Sequence, residues 1–354
     1  MKKISKLLAK HKLYILMLIF IGLFNAAVYM VPSVEEYKQR HDEAGAVKQQ
    51  QLKEKIEERE KTISENLYRS KVLQTTAAII TFLFVFMFLT GLWLLFIFFH
   101  TGSQKRNFIP RTLSPPKPKW KVSDALRIAV IFVFLNYVFF LIQVLLGKFL
   151  GVEMRDSSMK MIFNTITVDV LTLSFIFYFV CLKHTQRPIA LGLSFGKFAH
   201  NVFYGMLGYL AFLPILFAAI TVSYLAGKYF HIESEPQPLF DLFFHEKRPT
   251  VLIILTIFVA ILGPLIEEIF FRGFLYSSLK KRLNVPAAMF IVSLLFAGLH
   301  MNTLGFLPIF VLALALVYMF ERTGSLVPSI IMHCFHNSMI IIFVFLSRFF
   351  SEWR

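Results

Sequence analysis

In this chain of 354 residues, 57% are hydrophobic and 16% charged, with 42 phenylalanines, which excludes a soluble domain with an ordinary polar surface. The net charge of +16 would suit a nucleic-acid binder if it formed one patch, but it is spread over short segments between apolar runs. Two cysteines, Cys181 and Cys334, both inside apolar runs, exclude a disulfide framework and a CxxC metal site.

The predicted elements are apolar stretches of about the length that crosses a bilayer. They fall near 13–31, 73–99, 124–148, 161–182, 201–226, 250–271, 286–300, 306–320 and 327–347. The expected fold class is therefore all-α, a polytopic transmembrane helix bundle of about nine spans, the seventh and eighth short. The first stretch follows a basic "MKKISKLLAKHK" and mimics a signal peptide, but it is too long for an h-region and reads as a retained anchor. If the N-terminus is cytoplasmic, the inside loops carry 18 Lys/Arg against Asp124 and Glu321 alone, whereas the outside segments carry 17 Lys/Arg and 16 acids. That asymmetry is the positive-inside pattern, expected for a multi-pass protein of a bacterial cell membrane with no need of a nucleic-acid partner.

Between the first two spans, residues 32–72 hold nine acids and nine bases, with Leu52, Ile56, Ile63 and Leu67 at helical spacing. The pattern predicts an extracytoplasmic polar helix with a narrow apolar stripe. "TGSQKRNFIPRTLSPPKPKWKV" (101–122) is basic, rich in proline and without periodicity, and reads as a cytoplasmic linker. It divides an N-terminal part, 1–122, with its two-span hairpin, from a seven-span core, 123–354. "PQPLFDLFFHEKRP" (236–249) reads as an interfacial amphipathic segment. No internal repeat is seen, so a transporter reading lacks its usual support.

The sixth span poses the functional question, because "GPLIEEIFFRGFLY" (263–276) puts two glutamates and an arginine among Phe, Leu and Ile. Each lone charge at mid-bilayer costs about 2.5–3.5 kcal/mol on the insertion scale. Glu268 precedes Arg272 by four residues, the favourable order for a helical ion pair. Glu267 then lies about 100° around the helix, without a helical partner. Across the turn "KKRLNVP" (280–286), Glu267 and His300 are nearly equidistant, which places them at one depth, about 24 Å along each helix. His333 and Asn337 share one face of the ninth span, but at about 12 Å from their own turn. Tilt, a longer sixth helix or a re-entrant seventh has to reconcile those depths. His336 adjoins that face. Pro264 removes a main-chain donor one turn ahead of the glutamates, a distortion tolerated mainly beside a protein-lined cavity.

A carboxylate and a histidine at one depth can deprotonate a water, and a histidine with an asparagine can donate to an oxyanion. Two histidines and a carboxylate, Glu267, His300 and His333, could alternatively hold Zn²⁺, although no HExxH is present. The bland alternative is polar glue between helices.

The motifs "EEIFFR" (267–272), "FAGLH" (296–300) and "HCFHN" (333–337) together resemble the EExxxR, FxxxH and HxxxN pattern of the CAAX prenyl protease and bacteriocin-processing (CPBP, Abi) intramembrane proteases. The resemblance covers about 250–345. It implies Glu267 and His300 as the water-activating groups, His333 and Asn337 as the oxyanion-stabilising pair, and Glu268 with Arg272 as their support. It implies a hydrolase, an endopeptidase of glutamate type or of zinc type, acting on a peptide or protein tail presented at the bilayer. The expectation is the cofactor-free route, with Zn²⁺ as the alternative. A catalytically silent scaffold that binds a membrane partner through the same fold is the competing function.

Overall fold

A computed structural model describes residues 2–30, 54, 57–103, 109–112, 117–150, 157–232, 242–244 and 246–353. Much of the polar 32–72 stretch and of the 236–249 segment lies outside these residues, although 57–69 and 242–244 are helical. Every long element described is a helix. In chain order they are α1 (Lys2–Met30), α2 (Lys71–Ser103), α3 (Val122–Leu150), α4 (Ser157–Phe177), α5 (Phe198–Phe230), α6 (Pro249–Leu279), α7 (Val285–Leu299), α8 (Phe306–Thr323) and α9 (Leu326–Glu352).

Seven of these, α2–α6, α8 and α9, contain stretches long and apolar enough to cross a membrane, and Lys12–Ala26 within α1 and Val285–Leu299 are shorter apolar helices. The nine apolar runs of the sequence are thus nine apolar helices, seven of full length. Helices carry these runs because inside hydrocarbon every main-chain N–H and C=O has to be satisfied within its own segment. The chain is an integral membrane protein.

The described residues fall into two compact units. One comprises Met1–Thr62 and Ser123–Phe175. In it, Phe20 and Phe24 of α1 meet Phe134, Tyr137 and Phe140 of α3 edge-on. Asn25 and Tyr137 exchange hydrogen bonds of 2.9 and 3.1 Å, and Gln143 of α3 donates to Asn164 of α4. Between apolar helices, such polar contacts fix register where hydrophobicity has no preference.

The other unit comprises Ile63–Val122 and Ile176–Arg354. Here α5 packs against α2, α8 and α9, and α7 against α8. Close approach depends on small residues. A Cβ on Gly205 of α5 would lie 2.7 Å from the Pro328 carbonyl of α9, and one on Gly91 of α2 would lie 2.4 Å from the Leu210 carbonyl of α5. The core between them is Tyr209, Phe212, Leu213 and Leu216 of α5 with Leu312, Leu316 and Met319 of α8 and Met332 of α9.

The turns around the motif helices have local causes. Asn284 caps α7, its side chain accepting from the Ala287 N–H at 2.9 Å, with Pro286 in the first turn where no N–H is needed. Gly324 ends α8 in the left-handed region (φ 75°), and the Ser325 side chain then caps α9.

α6 is not a uniform α-helix. Phe258–Leu262 and Ile269–Tyr276 are π-helical, flanking the α-helical Gly263–Glu268. Pro264 follows directly on the first π turn. Gly263 N–H bonds to Phe258 O, five residues back, so the next donor in the ladder, for Val259 O, would be residue 264. Proline has no N–H. The Val259 carbonyl accepts instead from Asn337 Nδ2 of α9 at 2.9 Å.

Candidate active site

α6, α7 and α9 position the polar groups that the motifs single out. Glu268 and Arg272 are both fully buried, and their carboxylate and guanidinium meet at 2.6 Å. The same Glu268 oxygen lies 3.0 Å from His333 Nδ1. The pairing expected from the i, i+4 spacing is therefore one arm of a longer chain, Arg272–Glu268–His333. Arg272 also donates to the Ala313 carbonyl of α8 at 3.3 Å, and its guanidinium carbon sits 4.5 Å above the centre of the Phe296 ring. These contacts offset the cost of burying the cation. Glu268 Oε2 and Arg272 Nε have no hydrogen-bond partner among the described residues. Buried polar atoms of this kind are where internal water is held.

Glu267 differs in every respect. Its side chain is 39% exposed, and its Oε2 lies 3.7 Å from His333 Nε2, too long for a hydrogen bond but close enough for the two groups to feel each other's charge. His333, 4% exposed, thus sits between two carboxylates, one on each ring nitrogen. Since an ionised Glu268 can only accept, Nδ1 of His333 carries a proton and Nε2 is the atom presented toward Glu267.

His300 caps the end of α7 and is half-buried. Its Nδ1 is 2.7 Å from the Phe296 carbonyl, an acceptor, so the Nδ1 proton is committed there and Nε2 again faces outward. No hydrogen bond or ion pair among the described residues joins His300 to Glu267. The link is the Phe296 ring, 4.7 Å from the His300 ring and 5.8 Å from that of His333. Phe296 is the aromatic of the FxxxH motif. Its role as the shared wall of both histidines and the platform for Arg272 is not legible in the sequence, although its i−4 relation to His300 puts it on that face.

Asn337 lies one turn beyond His333, and one of its two N–H groups is committed to Val259 O. His336 points elsewhere, its Nδ1 3.4 Å from the Tyr209 hydroxyl of α5. The structure nevertheless brings His333 and the two glutamates to one level, His333 touching Glu268 and lying beside Glu267.

No group of three or more His, Cys, Asp or Glu side chains among the described residues is gathered closely enough to hold a metal ion. Nδ1 of His333 is held by Glu268 and Nδ1 of His300 by the main chain, which leaves Nε2 of each ring for water, substrate or a metal.

Residues 249–339 match the family model described as type II CAAX prenyl endopeptidase Rce1-like. This segment is similar to that family. It begins at the first residue of α6, ends just beyond Asn337 and encloses every site residue named above, within about a quarter of the chain. The CPBP resemblance seen in the three motifs is thus matched by a family whose description is that of a protease. No curated protein and no solved structure matches the chain. The matched segment includes both π turns of α6, so the helix irregularity and the three motifs occupy the same stretch.

Proposed function

We propose that the chain is an intramembrane endopeptidase of CAAX-protease type that hydrolyses a peptide bond in a membrane-presented peptide or protein tail. The observation that carries this reading is the division of labour between adjacent glutamates: Glu268 fully buried between Arg272 and His333, Glu267 half-exposed beside His333 Nε2. A pair built only as helix glue has no need of one open carboxylate.

In the proposed reaction Glu267, assisted by His300 Nε2, takes a proton from a water, whose oxygen attacks the scissile carbonyl. The carbonyl π electrons move to oxygen, and the oxyanion accepts hydrogen bonds from His333 Nε2–H and the second N–H of Asn337. Glu268 stabilises the doubly protonated His333, and Arg272 balances Glu268. When the carbon–nitrogen bond breaks, Glu267 returns its proton to the leaving amine, so protons and charge balance without a cofactor. Each oxyanion donor of this kind contributes about 10²–10³ in rate.

The basic turn Lys280–Lys281–Arg282 ends α6, which favours an opening of the site toward the cytoplasm, with the N-terminus on that side too. The experiment is incubation of the full-length protein, reconstituted in lipid, with membrane-anchored peptides bearing prenylated and plain C-terminal tails, followed by mass spectrometry. Cleavage at one defined bond, lost in His333→Ala, supports the reading. Intact peptides throughout would favour the scaffold.

A further inference from the structure

The linker between α2 and α3, expected from its composition to be solvated and irregular, is held in both of its described stretches by the unit that contains the matched segment. At its first described stretch, 109–112, Ile109 is buried in the α5–α8–α9 core. The Thr112 N–H and hydroxyl both donate to the Thr323 carbonyl at the end of α8, at 3.0 and 3.2 Å. At its second stretch, 117–120, four main-chain groups are held by side chains. Gln186 accepts from the Lys119 N–H at 2.7 Å and donates to the Lys117 carbonyl at 3.1 Å. Lys281, in the α6–α7 turn, donates to the Pro118 and Trp120 carbonyls at 3.0 and 3.1 Å.

The register is pinned by Trp120. Its side chain is fully buried, its ring stacks on Phe274 at 5.1 Å and 6°, and its Nε1–H donates to the Phe274 carbonyl at 2.9 Å. Phe179 closes the cluster edge-on to Phe274. Phe274 is two residues past Arg272, inside the π-helical Ile269–Tyr276. Main-chain grips hold any sequence, whereas an indole stacked and hydrogen-bonded on one residue holds only one alignment.

A π-helical run of eight residues is unusual, because α-helical hydrogen bonding is better over the same residues. With Phe274 held, relaxation of such a run by one residue would turn Glu267 and Glu268, which precede it, by about 100° relative to α9. Glu268 and Arg272, four residues apart, would still pair in a regular α-helix, but the contact of Glu268 with His333 does not survive that rotation. We propose that Trp120 is a positioning residue for this site: the strap formed by 109–112 and 117–120, pinned through Phe274, holds the π form of α6 that sets Glu268 against His333. This inference rests on the protease reading for its catalytic consequence, but not for its structural one.

The test uses full-length protein in lipid nanodiscs, with hydrogen exchange followed by mass spectrometry over 263–280 and, as an internal control, over α8 (306–323). Trp120→Ala should speed exchange in 263–280 about tenfold, from loss of one stack and one hydrogen bond, with α8 changed less than about twofold. Trp120→Phe, which keeps the stack, should give about a threefold effect, and Gln186→Ala should shift the same segment in the same direction. On a cleaved peptide, Trp120→Ala should lower kcat about tenfold or more while leaving KM within about threefold. Unchanged exchange in 263–280, or equal acceleration in α8, would overturn the strap. If Trp120→Ala does not accumulate, Trp120→Phe and Gln186→Ala decide by the same contrast. If the wild type cleaves nothing, the protease reading fails, and the exchange contrast still decides the strap.

Discussion

Removing Arg272 should do more harm than removing Arg272 and the charge of Glu268 together. Both side chains are fully buried and meet at 2.6 Å, and the guanidinium also covers Phe296 at 4.5 Å and reaches Ala313 O. Arg272→Met leaves a buried carboxylate with His333 as its remaining partner, and stranding one member of a buried pair costs about 3–5 kcal/mol. Glu268→Gln alone strands the cation, at a cost of similar size. In the double variant neither charge remains, and the glutamine put in place of Glu268 can still accept from His333 Nδ1. The loss should then fall to about 1–3 kcal/mol, the cost of the lost packing and cation–π contact. The two singles together cost about 6–10 kcal/mol against about 1–3 for the double, a coupling energy of about 3–9 kcal/mol. The assay is membrane abundance with the thermal midpoint of detergent-extracted protein for wild type, both singles and the double. Peptide turnover in the double should stay far below wild type despite its recovered fold, because a neutral amide does not stabilise a charged His333. Additive destabilisation in the double, or an Arg272→Met protein as abundant as wild type, would refute this argument.

Asn337→Leu should lower stability by about 1–3 kcal/mol, because the Val259 carbonyl facing Pro264 loses its donor; an unchanged thermal midpoint would separate Asn337 from the π turn. Glu246, ahead of α6, has its pKa lowered from 4.5 to about 2, first by the hydrogen bond from the Arg248 side chain and then by the Arg248 and Lys247 N–H groups. A depressed carboxylate stabilises above its unfolded pKa and loses that contribution as pH falls from about 4.5 toward 2, so Glu246→Gln should lower the thermal midpoint at neutral pH and converge on wild type in acid. A cysteine at position 281, with Cys181 and Cys334 replaced by serine, should resist impermeant maleimide in intact cells and react after permeabilisation, and labelling from outside would reverse the proposed topology.

The helices are legible in the sequence because apolar length alone marks them in hydrocarbon, where the main chain has no other way to be satisfied. The Glu268–Arg272 pair is legible from spacing, and so is the shared face of His333 and Asn337. The contact between His333 and both glutamates is not. It depends on α9 lying beside α6, a tertiary placement that the spacing within either helix does not encode. Trp120 is hidden for a related reason. A proline-rich basic stretch has no periodicity to read, and its binding uses main-chain groups that every sequence possesses. Phe296 stands in the quoted motif, yet a phenylalanine among 42 carries no signal until its neighbours are placed.

The central claim is that Glu267, the half-exposed member of the pair, is the base that activates water. The most direct measurement compares Glu267→Gln with wild type in the same lipid, recording folded abundance and cleavage of a membrane-anchored peptide side by side. Glutamine keeps the shape, and the buried Arg272 and His333 keep Glu268 as their hydrogen-bonded partner. The variant should therefore accumulate to wild-type levels with the same thermal midpoint, while turnover falls by at least about 10²–10⁴, the usual contribution of a positioned base. Near-normal turnover in a folded Glu267→Gln protein would contradict the account.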